Sequence, residues 1–313
     1  MKTSRSRSDI MNESASKAVH QYPKEHIERV HREIKGGLVT TISSKNPVVV
    51  YATTTVKQAC STMVDNGIRR VPVVDAGTKK LVGIVSARDL VDFFGGGEKY
   101  NIIRNDFKSN IFAAINLPVS KIMKEQVISV KETDSVEAAA KKLLDGHVGG
   151  CPVVDSDNRV VGVVSERDFI KKMAQGAHDI RVSDLMSHIV LSIDPEASLI
   201  SAARMMITKG FRRLPVLENG ELVGILRTTS ILRFISAGEF ARFGTADAEA
   251  ILGREKVRDA MRSYFVTIRP NDEIEEVIEI ILAKRIGGFP VEDNGKVVGV
   301  ITEHDIFRAA YSK

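Results

Sequence analysis

Residues 67–89, GIRRVPVVDAGTKKLVGIVSARD, decide the fold. The stretch reads as a loop, a short apolar strand over Val71–Val74, a polar turn, and a second strand over Leu81–Val85. That strand runs directly into a helix at Ser86-Ala87-Arg88-Asp89. The same phrase returns as HVGGCPVVDSDNRVVGVVSERD ending at Asp168, as GFRRLPVLENGELVGILRTTS ending at Ser230, and as RIGGFPVEDNGKVVGVITEHD ending at Asp305. A motif that recurs with its internal spacing kept is one supersecondary unit used four times.

Working outward, each copy is preceded by a β-rich segment ending at Val50, Val130, Ile193 or Ile268. Six residues later an amphipathic helix begins at Val56, Val136, Leu199 or Ile274. Apolar residues recur there at i, i+3, i+4 and i+7, for example Val56, Ala59, Cys60 and Met63, a stripe that faces a core. The unit is therefore β-α-β-β-α, about 50–60 residues long and too small to be robust alone. Pairing two units sheet against sheet would bury the exposed apolar face of each.

Spacing shows which units pair. The proline of the Pro-Val strand falls at Pro72, Pro152, Pro215 and Pro290, so the steps are 80, 63 and 75 residues: long, short, long. The long steps hold helical insertions over 98–116 and 238–255, and the short step is a linker around Gly176-Ala177-His178. The loop before the strand alternates too, Arg69-Arg70 and Arg212-Arg213 in the odd copies, Gly149-Gly150 and Gly287-Gly288 in the even ones. The reading is an α/β chain of two modules. Residues 26–178 hold repeats over about 38–95 and 118–175, and residues 179–313 hold repeats over about 181–236 and 256–313.

Composition bounds the rest. At 313 residues and 43% hydrophobic the chain has material for two cores, and with no tryptophan and 5% aromatics these are built from Val, Ile, Leu, Met and Ala. Cys60 and Cys151 sit inside apolar segments, which fits buried hydrophobes in a reducing compartment. No apolar run reaches the ~18 residues of a spanning helix, and the N-terminus lacks a signal-peptide core, so the expectation is a soluble, cytoplasmic protein without membrane contact. The net charge of +5 leans on residues 1–25, where Lys2, Arg5 and Arg7 stand among serines, and which read as a disordered basic tail. A helical spacing over His26–Ile34 leads from the tail into the first repeat.

The strand, Pro-Val, turn, Gly and Ser/Thr-x-x-Asp grammar, four times over nearly everything after residue 37, resembles the cystathionine-β-synthase (CBS) domain. Tandem pairs of that domain are called Bateman modules, and four copies in one chain are similar in layout to the gamma subunit of AMP-activated protein kinase. The resemblance implies paired domains with clefts for adenosine derivatives, and a role in energy sensing.

Residues then take candidate roles. Asp89, Asp168 and Asp305 close a Ser/Thr-x-x-Asp motif with Ser86, Ser165 and Thr302. A carboxylate there accepts two neighbouring hydroxyls, as a ribose offers. The hydroxyl and free N–H groups of a helix start suit a phosphate. The same spacing is also a helix capping box. The third copy departs, with Arg227 and Ser230 in these places, so its cleft is expected empty, weak or filled by Arg227. Arg69, Arg70, Arg212 and Arg213 offer guanidinium forks to phosphate oxygens, Arg70 and Arg213 foremost. The glycine pairs of the even copies would let a ligand approach backbone closely. By position within the family, Val71, Ser129, Cys151, Ser192, Thr267 and Phe289 border an adenine pocket; they equally read as core.

The pattern lacks a P-loop, a nucleophile elbow and a metal-ligand cluster, so no enzyme, cofactor or metal is expected. The function read from the sequence is regulatory binding of AMP, ADP or ATP, passed on to a protein partner. Homodimerisation is open, and S-adenosylmethionine is the alternative ligand. A nucleic-acid-binding regulator using the basic tail and a ligand-free scaffold are the rival classes.

Overall fold

A computed structural model of the chain describes residues 36–173 and 179–312. The tail at 1–25, the helix expected from His26 to Ile34 and the linker around Gly176-Ala177-His178 lie outside the described residues. In the first repeat β1 (Ser44–Lys45) and β2 (Val50–Tyr51) precede helix α1 (Val56–Asp65), strands β3 (Arg70–Val74) and β4 (Leu81–Ser86), and the closing helix α2 (Ala87–Val91). Helices α3 (Tyr100–Asp106) and α4 (Ile111–Ala114) occupy the first insertion. The second repeat runs β5 (Val130–Lys131), α5 (Val136–Asp145), β6 (Gly150–Val154), β7 (Val160–Ser165) and α6 (Glu166–Met173). After α7 (Val182–Leu185) the third repeat has α8 (Leu199–Lys209), β8 (Arg213–Glu218), β9 (Glu221–Arg227) and α9 (Thr228–Ser236). Then α10 (Ala248–Arg254) and α11 (Val257–Ala260) lead to α12 (Ile274–Lys284), β10 (Gly288–Asp293), β11 (Lys296–Thr302) and α13 (Glu303–Tyr311).

Local chemistry sets these boundaries. Thr55 and Gln58 form a reciprocal capping box at the start of α1, and Ser135 and Ser198 cap α5 and α8. The opening strand is reduced in the third and fourth repeats to the single parallel bridges Ile193↔Val216 and Ile268↔Val291. In the second repeat the next rung is Glu132 N–H donating to Val154 O. The corresponding residues are Pro195 and Pro270, which have no N–H to give.

Repeats one and two meet along strand edges. β1 pairs with β7, and Ile84 bridges Lys124. Repeats three and four meet the same way, through Ile225↔Arg262 and Ser187↔Val300. The glycine of each Val-Gly strand lies under this crossing. A Cβ at Gly83 or Gly224 would strike the Met123 or Met261 sulfur, and one at Gly162 or Gly299 would approach the Ser44 or Ser187 carbonyl oxygen.

The apolar cores run across the other diagonal. The pairing of units predicts sheet-on-sheet burial within a module, whereas the contiguous clusters join mainly repeat one to three and repeat two to four. Helix α9 packs on α1 and α2, and α13 packs on α6. Gly95 adopts φ 123° to close the turn after α2. It lies against Ile200 of α8, so the glycine run ends a helix and seats a neighbour. Both cysteines are buried free thiols. Among the described residues, no helix is long and apolar enough to cross a membrane.

Candidate functional site

The two arginine doublets converge where all four repeats meet, and each doublet splits. Adjacent residues entering a strand point to opposite sides. Arg70, first residue of β3, sends its guanidinium to the Gly149 carbonyl of the second repeat. Arg213, first of β8, lies over Gly287 and Gly288 of the fourth. Arg69 and Arg212 turn the other way. Arg69 Nη2 donates to Glu303 Oε2 at 2.6 Å, and Arg212 Nη1 lies 3.9 Å from Glu166 Oε2.

The glycine pairs thus make room for a protein group. A Cβ on Gly150 would collide with Arg70 Nη1, and one on Gly288 with Arg213 Nη1. The register places these glycines opposite the helix entrances, Gly150 across from Ser165 and Gly288 across from Thr302. Each inner arginine therefore stands beside a Ser/Thr-x-x-Asp motif of the neighbouring repeat.

Glu166 and Glu303, 2% and 1% exposed, were not singled out from the sequence, and neither were Arg167 and His304. Arg167 Nε donates to Glu303 Oε1 at 2.6 Å, and His304 Nδ1 lies 2.7 Å from Glu166 Oε1. A signal was present: the residue after the Ser/Thr position, which is Arg227 in the third copy, is Ala87, Glu166, Thr228 and Glu303, the same odd–even alternation as the loops. Burial alone would raise the Glu303 carboxyl, but Arg69 and Arg167 outweigh it and hold the group at about 2. Glu166 is likewise lowered against its burial, by His304 and Arg212. His304 is raised, first by its hydrogen bond to Glu166.

Five arginines face these two glutamates, so positive charge is in excess. Burial, then Arg69 and Arg212, pushes Arg70 down to about 10. Burial and Arg69 push Arg213 down to about 9, and its Nη1 is buried without a hydrogen-bond partner. An unpartnered buried guanidinium nitrogen amid like charges is a place that favours an anion.

At the helix entrances the carboxylates cap their own helices. Asp168 Oδ2 accepts from Ser165 N–H (2.8 Å) and Oγ (2.7 Å), and Asp305 Oδ2 from Thr302 N–H (2.8 Å) and Oγ1 (2.6 Å). Neither Oδ1 accepts a hydrogen bond from a described residue, and burial raises both groups. Asp89 differs. Its Oδ2 accepts from Ser86, while Oδ1 takes Lys99 Nζ at 2.7 Å, and the same ammonium donates to Ile122 O. In the third repeat Arg227 caps α9 with no side-chain hydrogen bond, and Ser230 is buried. Of the adenine-pocket candidates, Val71, Cys151 and Phe289 are fully buried in the apolar cores, whereas Ser129, Ser192 and Thr267 are half-exposed. A cavity of about 200 Å³ is lined by Ile84, Lys124, Ile128, Val148 and Gly150, and Ser129 is not among its lining residues.

A family model for the CBS domain matches residues 39–96, 119–175, 182–237 and 257–312. Protein MJ1225 of Methanocaldococcus jannaschii is 37% identical over 268 residues, 85% of this chain and 95% of that protein. Its crystal structure, described as that of a proposed archaeal homolog of g-AMPK, superposes with a TM-score of 0.82 over 87% of this chain and 99% of the other. A 33.4 kDa protein in a ribosomal RNA operon of Thermofilum pendens is 29% identical over 82% of this chain and 86% of its own. The 5'-AMP-activated protein kinase subunit gamma of Kluyveromyces lactis is 21% identical over 83% of this chain and 84% of its own.

Proposed function

The chain belongs to the CBS-domain family, and on that footing we propose that it is a non-catalytic, cytoplasmic regulator that binds AMP, ADP or ATP between repeats and passes the bound state to a protein partner. Likeness to gamma subunits of AMP-activated protein kinase supports the ligand class and the regulatory role. The observation that carries the reading is the central cluster, where Arg213 Nη1 lies buried and unsatisfied beside the Thr302–Asp305 entrance.

A nucleotide would set its ribose on Asp168 or Asp305, whose Oδ1 atoms take no hydrogen bond from a described residue. Its phosphates would reach Arg70 or Arg213 and, behind them, Arg69 and Arg212. Ser165 and Thr302 would add hydroxyls, and Ser129, Ser192 or Thr267 would border the base. The first cleft would bind more weakly, because Lys99 must leave Asp89 before a sugar can reach it. S-adenosylmethionine has no phosphate and offers the arginines a single carboxylate instead.

Because Arg69 and Arg212 tie the modules together, a phosphate that draws them from Glu303 and Glu166 changes how the halves are held. That is the differential interaction that linkage requires. The test is calorimetric titration of the full chain with AMP, ADP, ATP and S-adenosylmethionine, repeated on Asp168→Ala. Nucleotides should release heat and raise the melting point, by the equivalent of about 2.7 kcal/mol at a hundredfold excess over Kd. Absence of both effects with all three nucleotides at millimolar concentration would overturn the reading.

A further inference from the structure

The third repeat, which lost the ribose carboxylate, has a cavity of its own. It encloses about 150 Å³ and is lined by Ser230, Arg233, Phe234, Glu239, Asp259 and Arg262. It occupies the place that Lys99 fills in the first repeat, between the closing helix and the segment leading to the partner repeat. Ser230 replaces Asp89, and Met261-Arg262 replaces Met123-Lys124.

Three arginines gather here. Arg233 and Arg262 line the cavity, and Arg227 stands within electrostatic reach of both. Among the described residues, none of the three has a carboxylate within ion-pair distance. Glu239 on the wall is engaged by Arg242, leaving Asp259 as the remaining acid. Arg227 Nε is buried and makes no hydrogen bond. Ser230, 6% exposed and on the cavity wall, makes none with its hydroxyl among the described residues. Burial, then Arg262 and Arg233, pushes Arg227 down to about 10, and Arg262 is lowered by burial and Arg233. The cavity is comparable in size to the one lined by Ile84 and Lys124, so chemistry and not volume separates the two. That one is lined by Ile84, Val127, Ile128 and Val148 with Lys124 as its charged residue, and this one carries two guanidiniums, a hydroxyl and two acids.

We propose that the third cleft is a site for a small phosphate-class oxyanion, held by Arg233, Arg262 and the Ser230 hydroxyl with the charge of Arg227 behind them, and no longer a nucleoside site. No carboxylate stands at position 230, where a ribose diol would need one, and two guanidiniums and a hydroxyl line one cavity with a third guanidinium in electrostatic reach. The shared chemistry is the phosphate group, whether free or at the end of a nucleotide, and the experiment separates these sources.

The full chain, exchanged into buffer free of phosphate and sulfate, is titrated with inorganic phosphate and separately with AMP, as wild type and as Arg262→Gln. Arg262 is exposed, so the variant should fold; its circular dichroism is compared first. Wild type should melt higher in phosphate than in chloride of equal ionic strength, and Arg262→Gln should lose at least tenfold in phosphate affinity while its AMP isotherm is unchanged. Phosphate and chloride acting alike on the wild type would overturn the proposal. So would phosphate binding untouched by the substitution, which assigns it to the central arginines, or a parallel loss of AMP affinity, which makes the cavity part of a nucleotide site. The phosphate comparison decides even if AMP fails to bind anywhere.

Discussion

Arg69 Nη2 and Glu303 Oε2 lie 2.6 Å apart although 234 residues separate them in the chain. Arg69 belongs to the first repeat and Glu303 to the last, so the contact spans the two modules. The carboxylate also receives Arg167 and is almost wholly desolvated, which makes it the most dependent charge in the centre. Removing one partner of a buried pair leaves the other charge uncompensated, and that penalty is larger than the net worth of the pair.

Glu303→Gln should therefore destabilise the protein by about 3–5 kcal/mol. Arg69→Ala should cost less, because Arg167 still holds the carboxylate. Urea unfolding of both single variants and the double variant checks this, and the two changes should be strongly non-additive.

The same groups set a pH dependence. Glu303 is depressed from 4.5 to about 2, so its contribution is complete above pH 4.5 and is lost as pH falls through about 2. His304 is raised from 6.5, so its contribution is complete below that value and lost as pH rises through the raised one. The His304 side chain is half exposed, so solvent screening keeps its share small. An NMR titration should find His304 above the ordinary histidine range, and Glu166→Gln should bring it down.

Lys99→Met should free Asp89 Oδ1 and open the first cleft. A nucleotide titration of the variant should show tighter or additional binding relative to wild type, along with lower stability from the unpaired Asp89. An isotherm identical to that of the wild type would show that Lys99 is no barrier.

Gly288→Ala should destabilise by about 1–3 kcal/mol through overpacking, since the new methyl meets Arg213 and the Ile301 carbonyl at once. Adding Arg213→Ala to the same chain should recover part of the loss. Thermal melting of the single and double variants tests it.

Because the apolar clusters join repeat one to three and two to four, unfolding of the whole chain should be one transition. Calorimetric and van't Hoff enthalpies should agree. A chain reduced to 179–313 should be poorly folded, with the faces of α9 and α13 exposed, and should recover structure when residues 1–178 are supplied. Two separated transitions in the full chain would contradict this.

Much of the arrangement was legible in the residues. The i, i+3, i+4, i+7 stripes placed α1, α5, α8 and α12 with their buried faces, because burying an apolar stripe is a local demand that the sequence writes out directly. The alternation of arginine and glycine loops was legible as a pattern but not as a fit. Its cause is a guanidinium resting on a neighbour's backbone, and such a contact leaves only the absence of a side chain as its trace. Glu166 and Glu303 were hidden for a related reason. An acid at the start of a helix reads as ordinary dipole compensation until the fold brings Arg69 and Arg212 against it. Lys99 lies in an insertion whose path a repeat comparison cannot supply.

The crossing contacts of the two doublets exchange under an interchange of halves: Arg69 with Glu303 becomes Arg212 with Glu166. The molecule is in that sense a dimer joined into one polypeptide about a pseudo-dyad. In a true dimer of identical subunits, any substitution at a cleft appears twice. The covalent tether removes that constraint, and the clefts have diverged: one latched by a lysine, one lined with arginines, two with a carboxylate oxygen that no described residue engages. A single polypeptide of this kind can hold unlike occupants in equivalent seats, which symmetry would forbid.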